Sequence, residues 1–175
     1  GTLYGVEALT RWVHPKFGAV TPNKFIPLAE ECGLIGDLSR WALRTACKQM
    51  SIWRSKAIDI PSVSVNLSPI NFHNLDLCDL ILSELNTYNL KTTDLTLELT
   101  EGIFLDTNPN TMKTLHDIHD QGIGLSIDDF GTGYSSLSYL NKIPLKELKL
   151  DKSFVTEIEA SGTSRALSQA VIQIG

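Results

Sequence analysis

Five short segments in which apolar and polar residues alternate constrain the fold of this chain more than any other feature. They lie at residues 3–9, 62–68, 95–100, 125–129 and 147–151. Alternation with a period of two is typical of β-strands, whereas the segments between them repeat apolar residues at helical spacing. The helical patterns cover residues 22–32, 37–53 and 74–88, with a shorter one around 112–118 that Gly122 could end. Strands that alternate with helices predict an α/β fold with a parallel sheet.

The two faces of the predicted strands differ in a way that favours a barrel over an open sheet. Leu95, Leu97 and Leu99 lie on one face of residues 95–100, and polar residues lie on the other. An open sheet with helices on both sides is apolar on both faces. A barrel turns one face toward its helices and the other toward its interior and mouth. We therefore predict a (β/α)8 barrel of the TIM type.

The number of strands predicts that this barrel is incomplete. Eight strands close such a barrel, at about 31 residues for each strand–helix unit. Five strand patterns are present, and residues 166–174 have a helical pattern with no strand pattern after it. We expect residues 1–175 to form a partial domain of about strands 2 to 6, without the first and last strands.

Polar side chains fall at the carboxyl ends of all five predicted strands, where barrel enzymes place their active sites. They are Glu7, Asn66, Glu98, Asp128 and Lys149. Carboxylate and amide oxygens suit Mg²⁺ or Mn²⁺ better than zinc. Asp129 can face the same site as Asp128 only if the strand ends there and the glycine-rich residues 130–133 turn the backbone. Two metal ions bridged by an aspartate would then clamp a phosphodiester and activate water.

Each of these residues has a simpler interpretation when it is taken alone. Two aspartates before a glycine-rich turn are typical of a solvated loop, and Lys149 would suit an edge strand. The hypothesis of a metal site therefore depends on all five side chains sharing one face and one end. His116 and His119 form a weaker candidate metal site, because helix surfaces often carry such pairs.

Composition excludes several other classes of function. The net charge of -5 gives no general attraction to DNA, RNA or anionic lipid. The three cysteines form no C-x-x-C pair, which fits a reducing compartment. Neither a signal peptide nor an apolar run of membrane-spanning length is found. We expect a cytoplasmic segment without membrane contact, within a parent protein that could itself be attached to a membrane.

Six motifs, in the same order along the chain, resemble those of the EAL domain family. They are EALTRW at residues 7–12, PNKFIPLAE at 22–30, NLS at 66–68, ELTE at 98–101, DDFGTGYSSL at 128–137 and KLDKSF at 149–154. The resemblance implies a (β/α)8 barrel that hydrolyses cyclic di-GMP to linear pGpG with two Mg²⁺ or Mn²⁺ ions.

The resemblance also implies a role for each matching residue. The metal ligands would be Glu7, Asn66, Glu98, Asp128 and Asp129. Lys149 would orient the attacking water or help to deprotonate it, so that Lys149, Glu7 and Asp128 form the catalytic group. Arg11 would contact a ligand phosphate, with Leu9 and Asp151 as further ligand contacts.

The resemblance also implies a homodimer, and the sequence differs from the family pattern at three positions. Glu101 would steady the loop at residues 130–137, which in this family couples the metal site to the interface of a homodimer. A glutamine on the family's first strand and a glutamate on a late strand have no counterpart within residues 1–175, and Lys146 stands where many relatives carry an acid. The alternative function is a catalytically inactive EAL domain that binds cyclic di-GMP or a protein partner. The intact set of predicted metal ligands favours the enzyme.

Overall fold

A computed structural model describes residues 1–131, residues 143–152 and residue 156 of the chain. Seven strands lie in these residues: β1 (Val6–Ala8), β2 (Trp12–His14), β3 (Gly18–Val20), β4 (Val63–Asn66), β5 (Leu95–Thr100), β6 (Gly124–Phe130) and β7 (Glu147–Leu150). Four α-helices accompany them: α1 (Pro22–Glu31), α2 (Ile35–Ser55), α3 (Leu77–Thr87) and α4 (Pro109–Asp120). The predicted helix at residues 166–174 lies outside the described residues.

The main sheet has five parallel strands in the order β1-β4-β5-β6-β7. Neighbours in the sheet therefore follow chain order once β2 and β3 are set aside, as consecutive units of a βα barrel do. All five predicted strands are confirmed, and the predicted α/β fold of a partial TIM-type barrel is confirmed with them. β1 is shorter than predicted, at three residues.

A small antiparallel hairpin of β2 and β3 was not predicted. Each of its strands has three residues, too few for an alternating pattern to be recognised. The hairpin turn is held by the His14 ring, whose Nδ1 accepts hydrogen bonds from the backbone N–H groups of Lys16 and Phe17. Gly18 then adopts a φ of 67°, in the left-handed region that favours glycine.

The core lies between the outer face of the sheet and helices α2, α3 and α4. Leu95, Leu97 and Leu99 are at most 1% exposed and belong to one apolar cluster with buried residues of the three helices. The helical members at the centre of this cluster include Leu43, Met50, Ile81, Leu85, Leu115 and Ile118. The predicted helix at 74–88 begins later, at Leu77, because residues 74–76 form a turn in which Asn74 Oδ1 accepts a hydrogen bond from the Asp76 N–H.

The inner, polar face of the sheet is also enclosed. Thr96, Glu98 and Ser126 are at most 3% exposed although they lie opposite the apolar face. The curved sheet therefore shields this part of its polar face from solvent.

Two further features of the described residues concern membrane spans and disulfides. None of these helices combines the length and apolar character that crossing a bilayer requires. All three cysteines are free thiols, and Cys47 lies in the core. Burial, with a smaller contribution from the charge of Glu84, raises the pKa of Cys47 to about 11, so this thiol stays protonated at neutral pH.

Candidate active site

The parallel register gathers three of the predicted carboxylates at the carboxyl ends of the strands. Glu7 lies on β1, Glu98 on β5 and Asp128 on β6. One oxygen from each of these carboxylates lies within 4.8 Å of the other two. Among the described residues, this is the one group of acidic, histidine or cysteine side chains with the spacing of a metal site.

Asn66 and Lys149 complete the cluster as hydrogen-bond donors. Asn66 Nδ2 donates to Glu7 Oε1 at 2.8 Å and to Glu98 Oε2 at 3.2 Å. Lys149 Nζ donates to the other oxygen of Glu98, Oε1, and forms an ion pair with it. The five side chains predicted at the strand ends therefore form one cluster: hydrogen bonds join Glu7, Asn66, Glu98 and Lys149, and an Asp128 oxygen lies within 4.8 Å of Glu7 and Glu98. Glu98 accepts hydrogen bonds on both carboxylate oxygens.

Burial and charge act in opposite directions on the Glu98–Lys149 pair. Burial raises the pKa of Glu98, against the opposing effect of the Lys149 hydrogen bond, and the charge of Glu7 raises it further. Burial alone would lower the pKa of Lys149, but its hydrogen bond to Glu98 and the surrounding carboxylates outweigh burial and raise it. Lys149 is therefore held as an ammonium group in the presence of these acids.

A β-bulge places Asp128 and Asp129 beside the same site. Ile127 pairs with Leu148 and Phe130 with Leu150, so two residues of β6 oppose the single Lys149 of β7. Asp129 has a φ of 52°, the left-handed conformation of a bulge residue. The expectation that the strand must end at Asp129 is therefore wrong, because the bulge redirects the backbone while β6 continues to Phe130.

Asp129 lies in an acidic environment. Although Asp129 is exposed, partial desolvation raises its pKa, and the charges of Asp128, Asp151 and Glu7 raise it further. Asp151, a predicted ligand contact, is thus close enough to influence this carboxylate, and its backbone N–H donates to Phe130 O at 3.2 Å. Such a concentration of negative charge is typical of a site that binds cations.

A cleft of about 350 Å³ opens from the carboxylates toward α1 and α2. Leu9 and Arg11, the other two predicted ligand contacts, line it together with Asp128 and Asp129. Sequence reasoning missed the far wall, which includes Asn23, Glu30, Ser39 and Ser68. Asn23, Glu30 and Ser68 lie in the motifs at 22–30 and 66–68, but spacing alone did not bring those two segments together.

Glu101 reaches the start of the glycine-rich loop. Its carboxylate is buried and accepts a hydrogen bond from the backbone N–H of Gly131. Residues 132–137 of the loop that Glu101 was predicted to steady lie outside the described residues.

The histidines lie apart from the acidic group. His116 and His119 are exposed on α4 and take no part in it. His73 has a partner that the sequence did not reveal, because its Nε2 lies 2.8 Å from Asp106 Oδ2. This pair links the 3-10 turn after β4 to the segment that leads into α4.

The donor set fits a hard divalent cation. Glu7, Glu98, Asp128 and Asp129 would supply carboxylate oxygens, and Asn66 an amide oxygen. Asn66 and Lys149 donate hydrogen bonds to Glu7 and Glu98. The Lys149 ammonium neutralises only part of the negative charge of the carboxylates, so the group as a whole stays negative. No soft sulfur ligand belongs to the group, which disfavours a thiolate metal centre.

Comparison with known proteins gives one consistent family. A family model described as the EAL domain matches residues 1–175. The chain is 42% identical over its whole length to the "Oxygen sensor protein DosP" of Escherichia coli K12. It is 39% identical, again over its whole length, to the "Bifunctional diguanylate cyclase/cyclic di-GMP phosphodiesterase MucR" of Pseudomonas aeruginosa.

These two relatives are much longer proteins, of which the chain covers 22% and 26%. A solved structure described as "PaMucR Phosphodiesterase, c-di-GMP complex" is similar to the whole chain, with a TM-score of 0.89 and 39% sequence identity. The chain covers 71% of that structure.

Proposed function

The chain belongs to the EAL domain family, and from that premise we propose that it is part of a metal-dependent phosphodiesterase that hydrolyses cyclic di-GMP to linear pGpG. The single observation that carries the proposal is the cluster of Glu7, Asn66, Glu98, Asp128 and Lys149 at the strand ends. Relatives described as cyclic di-GMP phosphodiesterases and a neighbour in complex with c-di-GMP support the choice of substrate.

The acidic residues would hold the metal ions. Glu7, Asn66, Glu98 and Asp128 would bind one Mg²⁺ or Mn²⁺ ion, and Asp129 would hold a second beside Asp128. When bound, such ions lower the pKa of a coordinated water and neutralise charge on the phosphodiester. The bulge matters here because it gives both aspartates access to the same cleft.

The remaining residues would orient the reactants. The Lys149 ammonium, next to Glu98, can donate a hydrogen bond to the attacking water and hold it in line with phosphorus. Arg11 lies in the cleft wall, where its guanidinium can pair with a phosphate that is not being cleaved. Leu9 and Asp151 would contact the rest of the ligand, and Glu101 would hold the start of the loop through Gly131.

Hydrolysis of cyclic di-GMP by the purified protein with Mn²⁺ tests this proposal. Asp128→Asn should lower kcat by at least about 100-fold, the upper range for disturbing a metal centre through its outer shell. Asp120→Asn, an exposed substitution at the end of α4, is the matched control and should leave kcat unchanged. Nucleotide binding without hydrolysis by a folded, metal-loaded protein would instead indicate the binding module, and equal activity of Asp128→Asn would refute the metal role.

A further inference from the structure

A short hydrogen bond joins α1 to the segment that follows Asn66. Ser68 Oγ donates to Glu30 Oε1 at 2.6 Å, and both residues are partly buried in the wall of the cleft. A hydroxyl has one proton, so this bond fixes the orientation of the Ser68 side chain. Its lone pairs then accept from the Ile70 backbone N–H at 3.3 Å, which begins the 3-10 turn Pro69–His73.

The backbone beyond Asn66 is anchored on both sides of the strand end. Leu67 is buried and its N–H donates to the carbonyl oxygen of Glu98 at 2.9 Å, which ties it to β5. Ser68 is tied to α1 through Glu30. The two residues that follow Asn66 are therefore both fixed, Leu67 by the sheet and Ser68 by helix α1.

The side chain of Asn66 itself has no such anchor. It is exposed, and its Nδ2 donates hydrogen bonds to Glu7 and Glu98. Both acceptors belong to the carboxylates that would bind the metal, so these hydrogen bonds compete with metal binding. The position of the Asn66 amide in a metal-bound protein must therefore depend on its backbone.

We propose that Glu30 is a positioning residue for the metal site, which acts through Ser68 to fix the strand end that carries Asn66. This inference rests on the proposed function of Asn66 as a metal ligand. Glu30 lies on α1, and its hydrogen bond makes the distance between that helix and the carboxyl end of β4 part of the geometry of the site. Outer-shell partners of this kind orient ligands that they do not replace.

Two substitutions at Glu30 separate hydrogen bonding from charge. Glu30→Ala removes both the acceptor and the negative charge, whereas Glu30→Gln keeps a carbonyl oxygen that can accept from Ser68 Oγ. If Glu30 acted through its charge, the two variants would weaken metal binding equally. Glu31→Ala removes the same charge from an exposed neighbour on the same helix and is the matched control.

Calorimetric titration of the metal-free protein with Mn²⁺ tests the proposal without depending on catalysis. Glu30→Ala should raise the Kd for Mn²⁺ by about tenfold, the lower range for an outer-shell partner. Ser68→Ala should do the same, and the double variant should be no worse than either single one, because both remove one interaction. Glu30→Gln and Glu31→Ala should bind Mn²⁺ as the wild type does.

The possible outcomes distinguish this inference from the proposed function. If the wild type binds no Mn²⁺, the proposed metal site is wrong; if it binds and both Glu30→Ala and Ser68→Ala bind equally well, the positioning role is wrong. Equal weakening in Glu30→Ala and Glu30→Gln would also overturn it, in favour of a charge effect. Circular dichroism at the titration temperature ensures that only folded variants are compared, and Ser68→Ala provides the test if Glu30→Ala does not fold.

Discussion

Glu98 has no exposed surface, yet both of its carboxylate oxygens accept hydrogen bonds within the site. A buried carboxylate is costly unless it is paired and hydrogen-bonded, and Lys149 and Asn66 supply those partners. Asp128 is half-buried and Glu7 is exposed, so burial decreases across the group toward the side where Arg11 and the cleft lie. Of the three clustered carboxylates, Glu7 is therefore the one most open to solvent.

Asp106 gives a residue-scale prediction about pH and stability. Burial would raise its pKa, but hydrogen bonds from the Asn108 N–H, the Thr111 hydroxyl and the His73 ring lower it below the ordinary 3.8. A carboxylate with a lowered pKa stabilises the folded state above its ordinary pKa and loses that contribution as pH falls through the lowered value. Asp106→Asn should therefore reduce the free energy of unfolding at pH 7 by about 1–3 kcal/mol.

Urea denaturation over a range of pH measures this effect. The difference between wild type and Asp106→Asn should be constant near neutral pH and shrink below about pH 3.8, the ordinary pKa of the group. Asp120→Asn, on the surface of α4, should change stability by less than about 0.5 kcal/mol throughout. A difference for Asp106→Asn that did not depend on pH would show that its ionisation is not what stabilises the fold.

Individual site residues could be predicted from sequence because strand alternation assigns every second residue to one face. That rule was enough for Glu7, Glu98 and Lys149, which the structure brings together. The pairing of His73 with Asp106 could not be predicted in the same way. It depends on how two irregular segments 33 residues apart approach each other, which no local periodicity records.

At the scale of elements, the β6 bulge shows where a local rule fails. Regular alternation would turn Asp128 and Asp129 to opposite faces. One extra residue opposite Lys149 and a left-handed Asp129 place both beside the cleft without ending the strand. Sequence could indicate that the backbone must deviate there, but not whether it would do so by a turn or by a bulge. The hairpin β2–β3 was missed for a related reason, since its strands are too short to show a period.

Gly124, at the start of β6, gives a prediction at this scale. A Cβ atom there would lie 2.9 Å from Lys146 Cδ and 3.0 Å from Thr96 Oγ1. The Lys146 stem can move aside, but Thr96 is 3% exposed and closely surrounded. Gly124→Ala should therefore lower the free energy of unfolding by about 1–3 kcal/mol, the usual cost of overpacking a buried site.

Gly36 in α2 provides the opposite control. A Cβ atom there would meet nothing within 4 Å, and Gly36 is not among the residues with positive φ. Gly36→Ala should raise stability by about 0.4–1 kcal/mol, because alanine restricts the unfolded chain. Chemical denaturation of both variants at one pH makes the comparison. Stabilisation by both would mean that the Thr96–Gly124 contact is looser than its geometry indicates.

At the scale of the whole molecule, the fold follows from periodicity, whereas the cleft does not. Five alternating segments separated by helical patterns were enough to predict consecutive parallel strands covered by helices. The cleft wall from α1 and the enclosure of the polar face depend on how the sheet curves and where the helices pack. Packing of that kind arises from side chains distant in sequence, such as Glu30 and Ser68, which are joined only in three dimensions.

The arrangement of charge over the molecule yields a final prediction. The chain carries a net charge of -5 and brings three carboxylates within 4.8 Å of one another, close to Asp129. Metal-free, these acids repel one another, so a bound divalent cation should stabilise the folded state by mass action. At a free Mn²⁺ concentration of 100 times Kd, the gain should be about 2.7 kcal/mol. That gain corresponds to a rise in melting temperature of about 5–11 °C for a domain of this size.

Thermal melting in Mn²⁺ and in chelator, for wild type and Asp128→Asn, tests this linkage. In chelator the variant should melt no lower than the wild type, because the substitution removes one of the repelling charges. In Mn²⁺ it should lose most of the stabilisation, because one proposed ligand is gone. An equal rise in both proteins would place the stabilising ion elsewhere. His116→Ala and His119→Ala would then be the next variants to melt, because these exposed histidines are the weaker candidate metal site that the sequence indicated.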